Sequence, residues 1–357
     1  MNNKQELQQQ DGDRDGHIVR FGEAFWVWCK VACLSFGGPA GQIAVMHRIL
    51  VEEKKWVSEN RFLHALNYCM LLPGPESQQL ATYIGWLLHR TAGGLMAGLL
   101  FILPGFLSIL ALSIIYAGYH DLTLVQGIFY GLKPAVVAVV IEAVMRIGKR
   151  SLTNRTMYWV AAFSFVAIFF FQLPFPLIIL VAGVTGFVGG QFRPDIFVVI
   201  KGHATKNDAA SELAISDHQA IAVRPSLARS IRVLAAWIPL WFAPIIGLWC
   251  FTGRDSVYTQ ESLFFSKASV VTFGGAYSVL AYIAQEAVGT HHWLQPGEML
   301  DGMGMAETTP GPLIQVVQFV GFMGAYRDPG SLHPMTAGII GFDCSSLIGL
   351  PWTGPHL

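Results

Sequence analysis

Charge is what this sequence has least of. Only 13% of its 357 residues are Asp, Glu, Lys or Arg, against about 25% in an ordinary soluble protein. Hydrophobic residues make up 53%, and the mean hydropathy is +0.47. Long uncharged runs recur, which excludes a soluble domain and implies an integral membrane protein. The 23 Lys and Arg balance the 23 Asp and Glu, so no basic field draws the chain to nucleic acid. The first twenty residues, MNNKQELQQQDGDRDGHIVR, have no apolar core; they read as a polar arm and not as a cleavable signal peptide. Five cysteines (Cys29, Cys33, Cys69, Cys250 and Cys344) lie scattered in apolar sequence. Their spacing fits neither a zinc site nor a disulfide framework. Cys29 and Cys33 share a helix face, yet read best as small buried hydrophobes. There is no P-loop, so direct drive by a nucleoside triphosphate is not supported. No metal or cofactor is expected.

What is present is a set of apolar segments, at about 22–50, 62–89, 93–117, 124–146, 157–172, 174–190, 233–253, 262–288 and 298–325. A polar loop over 191–232 joins a first membrane domain, 21–190, to a second, 233–357. The fold class is therefore an all-α polytopic membrane protein.

The halves repeat. A shift of 237 residues carries Phe36-Gly37-Gly38 onto Phe273-Gly274-Gly275 and Pro73-Gly74-Pro75 onto Pro310-Gly311-Pro312. The same shift places Lys30 on Lys267, Trp56 on Trp293 and Gln78 on Gln315, without a gap. Both motifs break helices inside apolar sequence. The loop around 48–61 is rich in Lys and Arg, whereas its counterpart VGTHHWLQPG has neither. By the positive-inside rule the two loops belong on opposite faces. Segment 62–89 is long for one span and starts and ends beside basic residues, so it reads as two half-helices that enter and return at Pro73-Gly74-Pro75. Segment 22–50, broken at Phe36-Gly37-Gly38-Pro39, reads likewise. Five full spans then separate the repeats, which inverts the second relative to the first, as in secondary transporters built on broken helices. The parity rests on 157–190 being two spans, divided only at Gln172-Leu-Pro-Phe-Pro176.

Broken backbone at membrane depth survives only beside protein or a water-filled cavity. Pro75 suits a first helical position, and the free N–H groups that follow, with the helix dipole, make an anion site. Pro310-Gly311-Pro312 supplies a second. Ser77, Thr308, Thr309, Gln78 and Gln315 can donate hydrogen bonds there. Lys30 and Lys267 either add positive charge or snorkel to the interface. The glycine clusters permit close backbone approach and form a second wall. Glu76 and Glu307 stand on opposite sides of their breaks. An intramembrane carboxylate is a functional candidate by default; exchange of an anion for a proton gives these two a role, and capping a helix gives Glu76 a simpler one. His47, His64 and Asp301 read as solvated or packed. Arg48, Glu52, Glu53, Lys54 and Lys55 read as an interfacial charge network.

With these residues assembled, FGGPAGQIAVMHRILVEEKKW, LNYCMLLPGPESQQLATYIGW, FGGAYSVLAYIAQEAV and GMAETTPGPLIQVVQFVGFMGAYRDPG resemble the chromate ion transporter family over about 21–340. The resemblance implies a bacterial inner-membrane protein that exports chromate, a sulfate-like oxyanion, and confers chromate resistance. It places the family's motifs on Phe36 to Pro39 with Phe273 to Gly275, and on Pro73 to Pro75 with Pro310 to Pro312. Proton drive is expected from the same source, with chromate, protons and the bilayer as partners and a homodimer left open. The alternatives are a sulfate or other oxyanion transporter, an uncoupled pore, and an intramembrane enzyme acting on an anionic lipid or phosphate with Glu76 or Glu307 as base. After about Ile340 the sequence FDCSSLIGLPWTGPHL departs from the first half's pattern, and a shortened second half is expected.

Overall fold

The computed structural model describes residues 19–119, 122–171, 173–193, 227–272 and 276–349. Two compact units form, one from 1–126 with 211–357 and the other from 127–210. Packing thus gathers the motif-bearing parts of both repeats into one unit. The linker 191–232 lies outside the described residues except at its two ends.

In the first unit the first repeat begins with α1 (Phe21–Leu34), α2 (Gly38–His47, continued by a π-helical turn, Arg48–Glu53) and α3 (Glu59–Leu71). α4 (Glu76–Tyr119) follows, with a reversal at His89 (φ −136°) and Arg90 (φ 55°). The reversal folds residues 91–119 back along 76–88. Gly85 and Gly93 make this possible: a Cβ on Gly85 would lie 2.5 Å from the Gly93 carbonyl oxygen. Small residues at such a crossing let helix backbones touch. Trp28, Phe62, Leu80, Ile84 and Phe101, all fully buried, form the core of this repeat.

The second repeat has the same plan. After α8 (Leu227–Thr252) come α9 (Val257–Val270), α10 (Ala276–Gln285 with a π-helical turn, Glu286–Thr290) and α11 (Glu298–Thr308). A 3₁₀ turn (Leu313–Gln315), α12 (Val316–Arg327) and α13 (Pro334–Gly349) follow. The shift of 237 carries one π-helical turn onto the other. It also carries Lys55 (φ 52°) onto His292 (φ 56°), non-glycine residues that share a left-handed backbone. Trp56 and Trp293 beside them are both 4% exposed. Both details recur at the same shift of 237 residues.

α1, α2, α3, α9, α10, α11 and α12 hold 14, 10, 13, 14, 10, 11 and 12 residues. At 1.5 Å per residue these are about 15–21 Å long, short of the roughly 30 Å hydrocarbon core. They are half-helices, too short to cross it alone.

The second unit contains most of α5 (Thr123–Ser151), then α6 (Arg155–Phe169) and α7 (Phe175–Phe192). Segment 157–190 is therefore two helices. Neither α6 nor α7 has a buried residue, and Phe163, Phe165, Phe169 and Phe187 are exposed. A helix apolar on every face belongs in lipid. Among the described residues, four helices are long and apolar enough to cross a membrane, at Glu76–Tyr119, Thr123–Lys149, Phe175–Phe192 and Ala235–Thr252. Among the described residues there is no strand.

Candidate functional site

Each Pro-Gly-Pro break is held open by the same backbone geometry. Leu72 and Thr309 are extended (ψ 145° and 151°), and Gly74 and Gly311 have φ of 119° and 115°, a region only glycine adopts without strain. The chain thus turns out of one half-helix and into the next. Pro75 stands one residue ahead of α4, and its carbonyl accepts the first helical bond, from the Gln79 N–H at 3.0 Å. The expectation of Pro75 at the first helical position is off by one. Pro312 is placed alike, but its carbonyl takes a 3₁₀ bond from Gln315 N–H.

The breaks are stitched across the duplication. Gly74 N–H donates to the Thr272 carbonyl, and Gly311 N–H donates to the Ser35 carbonyl. Ser35 and Thr272 are themselves equivalent under the shift, and each returns its hydroxyl to its own helix, at Val31 O and Ala268 O. The Gly311 carbonyl also accepts from Gln42 Nε2 at 2.5 Å. Unsatisfied backbone would be costly here; the repeats satisfy it for each other.

Beside the first break lies a cavity of about 510 Å³. Gly74, Pro75 and Gln78 form its wall from the first repeat, and Thr272, Gln315 and Gln318 from the second. Asp343 and Ser346 border it from α13. The rest is largely apolar, with Leu103, Phe106 and Phe265 prominent. Gln78 is 3% exposed, and its amide nitrogen has no hydrogen-bond partner. It sits in the first turn of α4, where the N–H groups have no intrahelical acceptor. A buried donor beside a helix N-terminus is an arrangement for an anion.

The other expected residues fall in several places. Gln315, the counterpart of Gln78, lines the cavity but spends its amide nitrogen on the Ile102 carbonyl at 2.9 Å. The hydroxyls of Ser77, Thr308 and Thr309 donate to the carbonyls of Pro39, Gly304 and Met305. Pro73 turns its carbonyl to Gln79 Nε2. Gly37 and Gly38 take left-handed φ of 77° and 70° at the start of α2, with Phe36 exposed beside them. A Cβ on Gly38 would meet Tyr277 Oη at 3.0 Å and the Glu307 carboxylate at 3.7 Å. Glu307 thus faces the first repeat's glycine cluster, where Tyr277 donates to it at 2.5 Å. Glu76 opens α4 close to Cys69. Phe273, Gly274 and Gly275 lie outside the described residues.

Lys30 is exposed and pairs with Glu53 at 3.0 Å; this hydrogen bond holds the Glu53 carboxyl below the usual carboxylate range. Lys267 is exposed near the end of α9 and hydrogen-bonds Tyr282. Neither lysine lines the cavity. Arg48 with Glu53, Lys54 with Glu23, and His47 with Glu52 and Glu59 extend a surface network. Asp301 is buried and accepts from Tyr116 Oη at 3.1 Å.

Sequence reasoning missed Gln42, Gln318, Tyr277 and Asp343. Gln318 follows Gln315 by three residues and therefore shares its face, which was a usable signal. The others become visible only once the repeats pack.

Half-helices meeting at the two Pro-Gly-Pro breaks, a cavity lined by both repeats and, in the second unit, helices apolar on every face define a polytopic membrane protein. The chain matches the chromate transporter family over residues 22–187 and 260–352, and it belongs to that family. It is 32% identical over 326 residues to a chromate transport protein of Pseudomonas aeruginosa, covering 90% of this chain and 70% of that one. A chromate transport protein of Cupriavidus metallidurans is 28% identical over 316 residues, covering 83% of this chain and 66% of the other. A probable chromate transport protein of Synechococcus elongatus is 28% identical over 327 residues, with 92% and 75% covered. No solved structure matches the chain.

Proposed function

We propose that this protein is a secondary transporter that carries chromate out across the bacterial inner membrane in exchange for protons, and so confers chromate resistance. The two repeats run through the membrane in opposite senses, and alternating access moves the cavity from one face to the other. The names of the relatives support the substrate, and the Lys and Arg distribution supports the inversion. The carrying observation is the buried, unpartnered amide nitrogen of Gln78 in the cavity wall at the N-terminus of α4. It gives a tetrahedral dianion a donor in addition to the helix N–H groups. Chromate and sulfate share shape and charge, so both fit the same chemistry. Glu76 and Glu307, one beside each break, are the proton-coupling candidates from the breaks themselves.

Counterflow in proteoliposomes tests the reading. Labelled chromate should exchange against unlabelled chromate, and Gln78→Leu should weaken that exchange; uncoupled flux would make the protein a pore instead. Glu76→Gln should impair proton-driven movement more than oxyanion binding, and identical pH dependence in the variant and the wild type would remove Glu76 from the coupling. Single cysteines placed in 54–60 and 289–297 of a cysteine-free background should label from opposite faces. Labelling from one face would refute the inversion.

A further inference from the structure

Glu261 was not among the residues the sequence singled out, and the site described above does not use it. It lies in the first turn and a half of α9 and is 0% exposed. Neither carboxyl oxygen has a hydrogen-bond partner. Its Oε1 fills the space above Gly324 of α12; a Cβ there would lie 2.2 Å from that oxygen and 2.9 Å from the Trp293 ring. The equivalent pair in the first repeat is Ala24 and Leu87. At these two positions the first repeat carries two apolar side chains, and the second an acid packed against a glycine.

The closed chamber around Glu261 does not suit a charge. An ionised carboxylate buried without a partner is heavily penalised, so buried charges are paired or neutralised. Among the described residues, no cation is turned to it. On α9 itself the nearest titratable group is Tyr258, whose hydroxyl is also buried and unpartnered. α13 brings Cys344, with Asp343 beside it. Asp328, just past α12, stands nearer Tyr258. Arg327 is turned to Glu298 and the Trp293 carbonyl, and Lys267 is turned to Tyr282 of α10. α8 brings Cys250, which is exposed. The neutral acid is the form that fits.

The chamber is connected to the cavity by two helices. Phe265 and Ala268, four and seven residues along α9 from Glu261, line the cavity, and residues at those spacings share a helix face. Phe265 is thus about 6 Å along the axis from Glu261. On α13, Cys344 lies beside Glu261 while its neighbours Asp343 and Ser345 line the cavity. Any shift of α9 or α13 would therefore move the cavity wall and the surroundings of Glu261 together.

We propose that Glu261 is a proton-binding site of the transporter, holding its proton in the conformation described here and releasing it to water when α9 and α13 move. The step is the dissociation of one carboxylic O–H bond, with the electron pair staying on the oxygen and the proton passing to water. The coupling rests on the transport reading above; the proton site does not.

The test uses the full-length protein in proteoliposomes and in detergent. Glu261→Gln keeps the shape of the neutral acid and should leave chromate counterflow near the wild-type rate. Accumulation driven by a pH gradient should fall about tenfold, within the usual range of site-to-site coupling. Should that variant fail to fold, Glu261→Met fills the same space with an apolar side chain, and the same outcomes apply. Infrared spectra of the detergent-solubilised protein without chromate should show a protonated-carboxyl stretch that either variant removes. An unchanged infrared band in the variants, or gradient-driven accumulation equal to wild type, would overturn the proposal. A band that the variants remove, in a protein that moves no chromate, would retain the proton site and reject the substrate.

Discussion

The amides of Gly74 and Gly311 hold equivalent places in the two repeats, and each is bonded to a carbonyl of the other repeat, at 2.8 Å and 3.0 Å. Their positive φ makes both positions intolerant of a side chain. Gly74→Ala and Gly311→Ala should each destabilise the protein by about 1–3 kcal/mol, the usual cost of a residue held in a sparsely populated region. Gly311→Ala should be the worse, because its Cβ would stand 2.6 Å from Gln315 Oε1 and 3.3 Å from Gly105 Cα. Thermal unfolding in detergent measures both, and wild-type midpoints would contradict the strain argument.

Gln78 and Gln315 occupy matched positions but have unequal tasks. Gln78→Leu removes a donor that no protein group uses, so unfolding should be unchanged while chromate binding weakens about tenfold or more. That corresponds to losing a hydrogen bond to a charged group, roughly 1.5–3 kcal/mol. Gln315→Leu strips the Ile102 carbonyl of its donor and should lower stability first. Equilibrium binding beside thermal unfolding separates the two cases.

Asp343 borders the cavity, and its ionised form repels a dianion there. Chromate should bind the wild type more tightly as pH falls through the titration of Asp343. Asp343→Asn should bind about fivefold tighter near neutral pH, a modest Coulomb energy of about 1 kcal/mol, with a flatter pH profile. Binding measured across the acid-to-neutral range decides it; an unchanged profile would separate Asp343 from the anion.

Lys30 pairs at the surface, away from the cavity, so Lys30→Met should leave chromate affinity unchanged. Because Lys30 holds Glu53 low, the stabilisation from this pair is present above the ordinary carboxylate range and is lost as pH falls through the lowered value. Lys30→Met should shrink that acid-side loss, leaving the part that Arg48 and Lys54 supply. Unfolding temperature against pH reads it directly, and a drop in affinity would return Lys30 to the binding site.

Much of this fold was legible because the duplication kept its punctuation. The shift of 237 found both breaks, and the backbone reproduces it at Lys55 with His292 and at the paired π-helical turns. The division of 157–190 was readable from its prolines. The candidate site was only half legible. Gln78 and the first break follow from local sequence, since helix N-termini and prolines are local features. Lys30 was ambiguous because its partner Glu53 lies 23 residues away and is brought near by the fold of α2. Glu261 sat one residue outside the apolar segment drawn from 262, where a polar residue reads as a helix end. Its burial depends on Gly324 and Trp293, which come from other elements.

The exchanged amide bonds make the two breaks a single mechanical part. Each repeat satisfies its own break with a carbonyl borrowed from the other, so pulling either break away from the opposite repeat strands a backbone N–H without its acceptor.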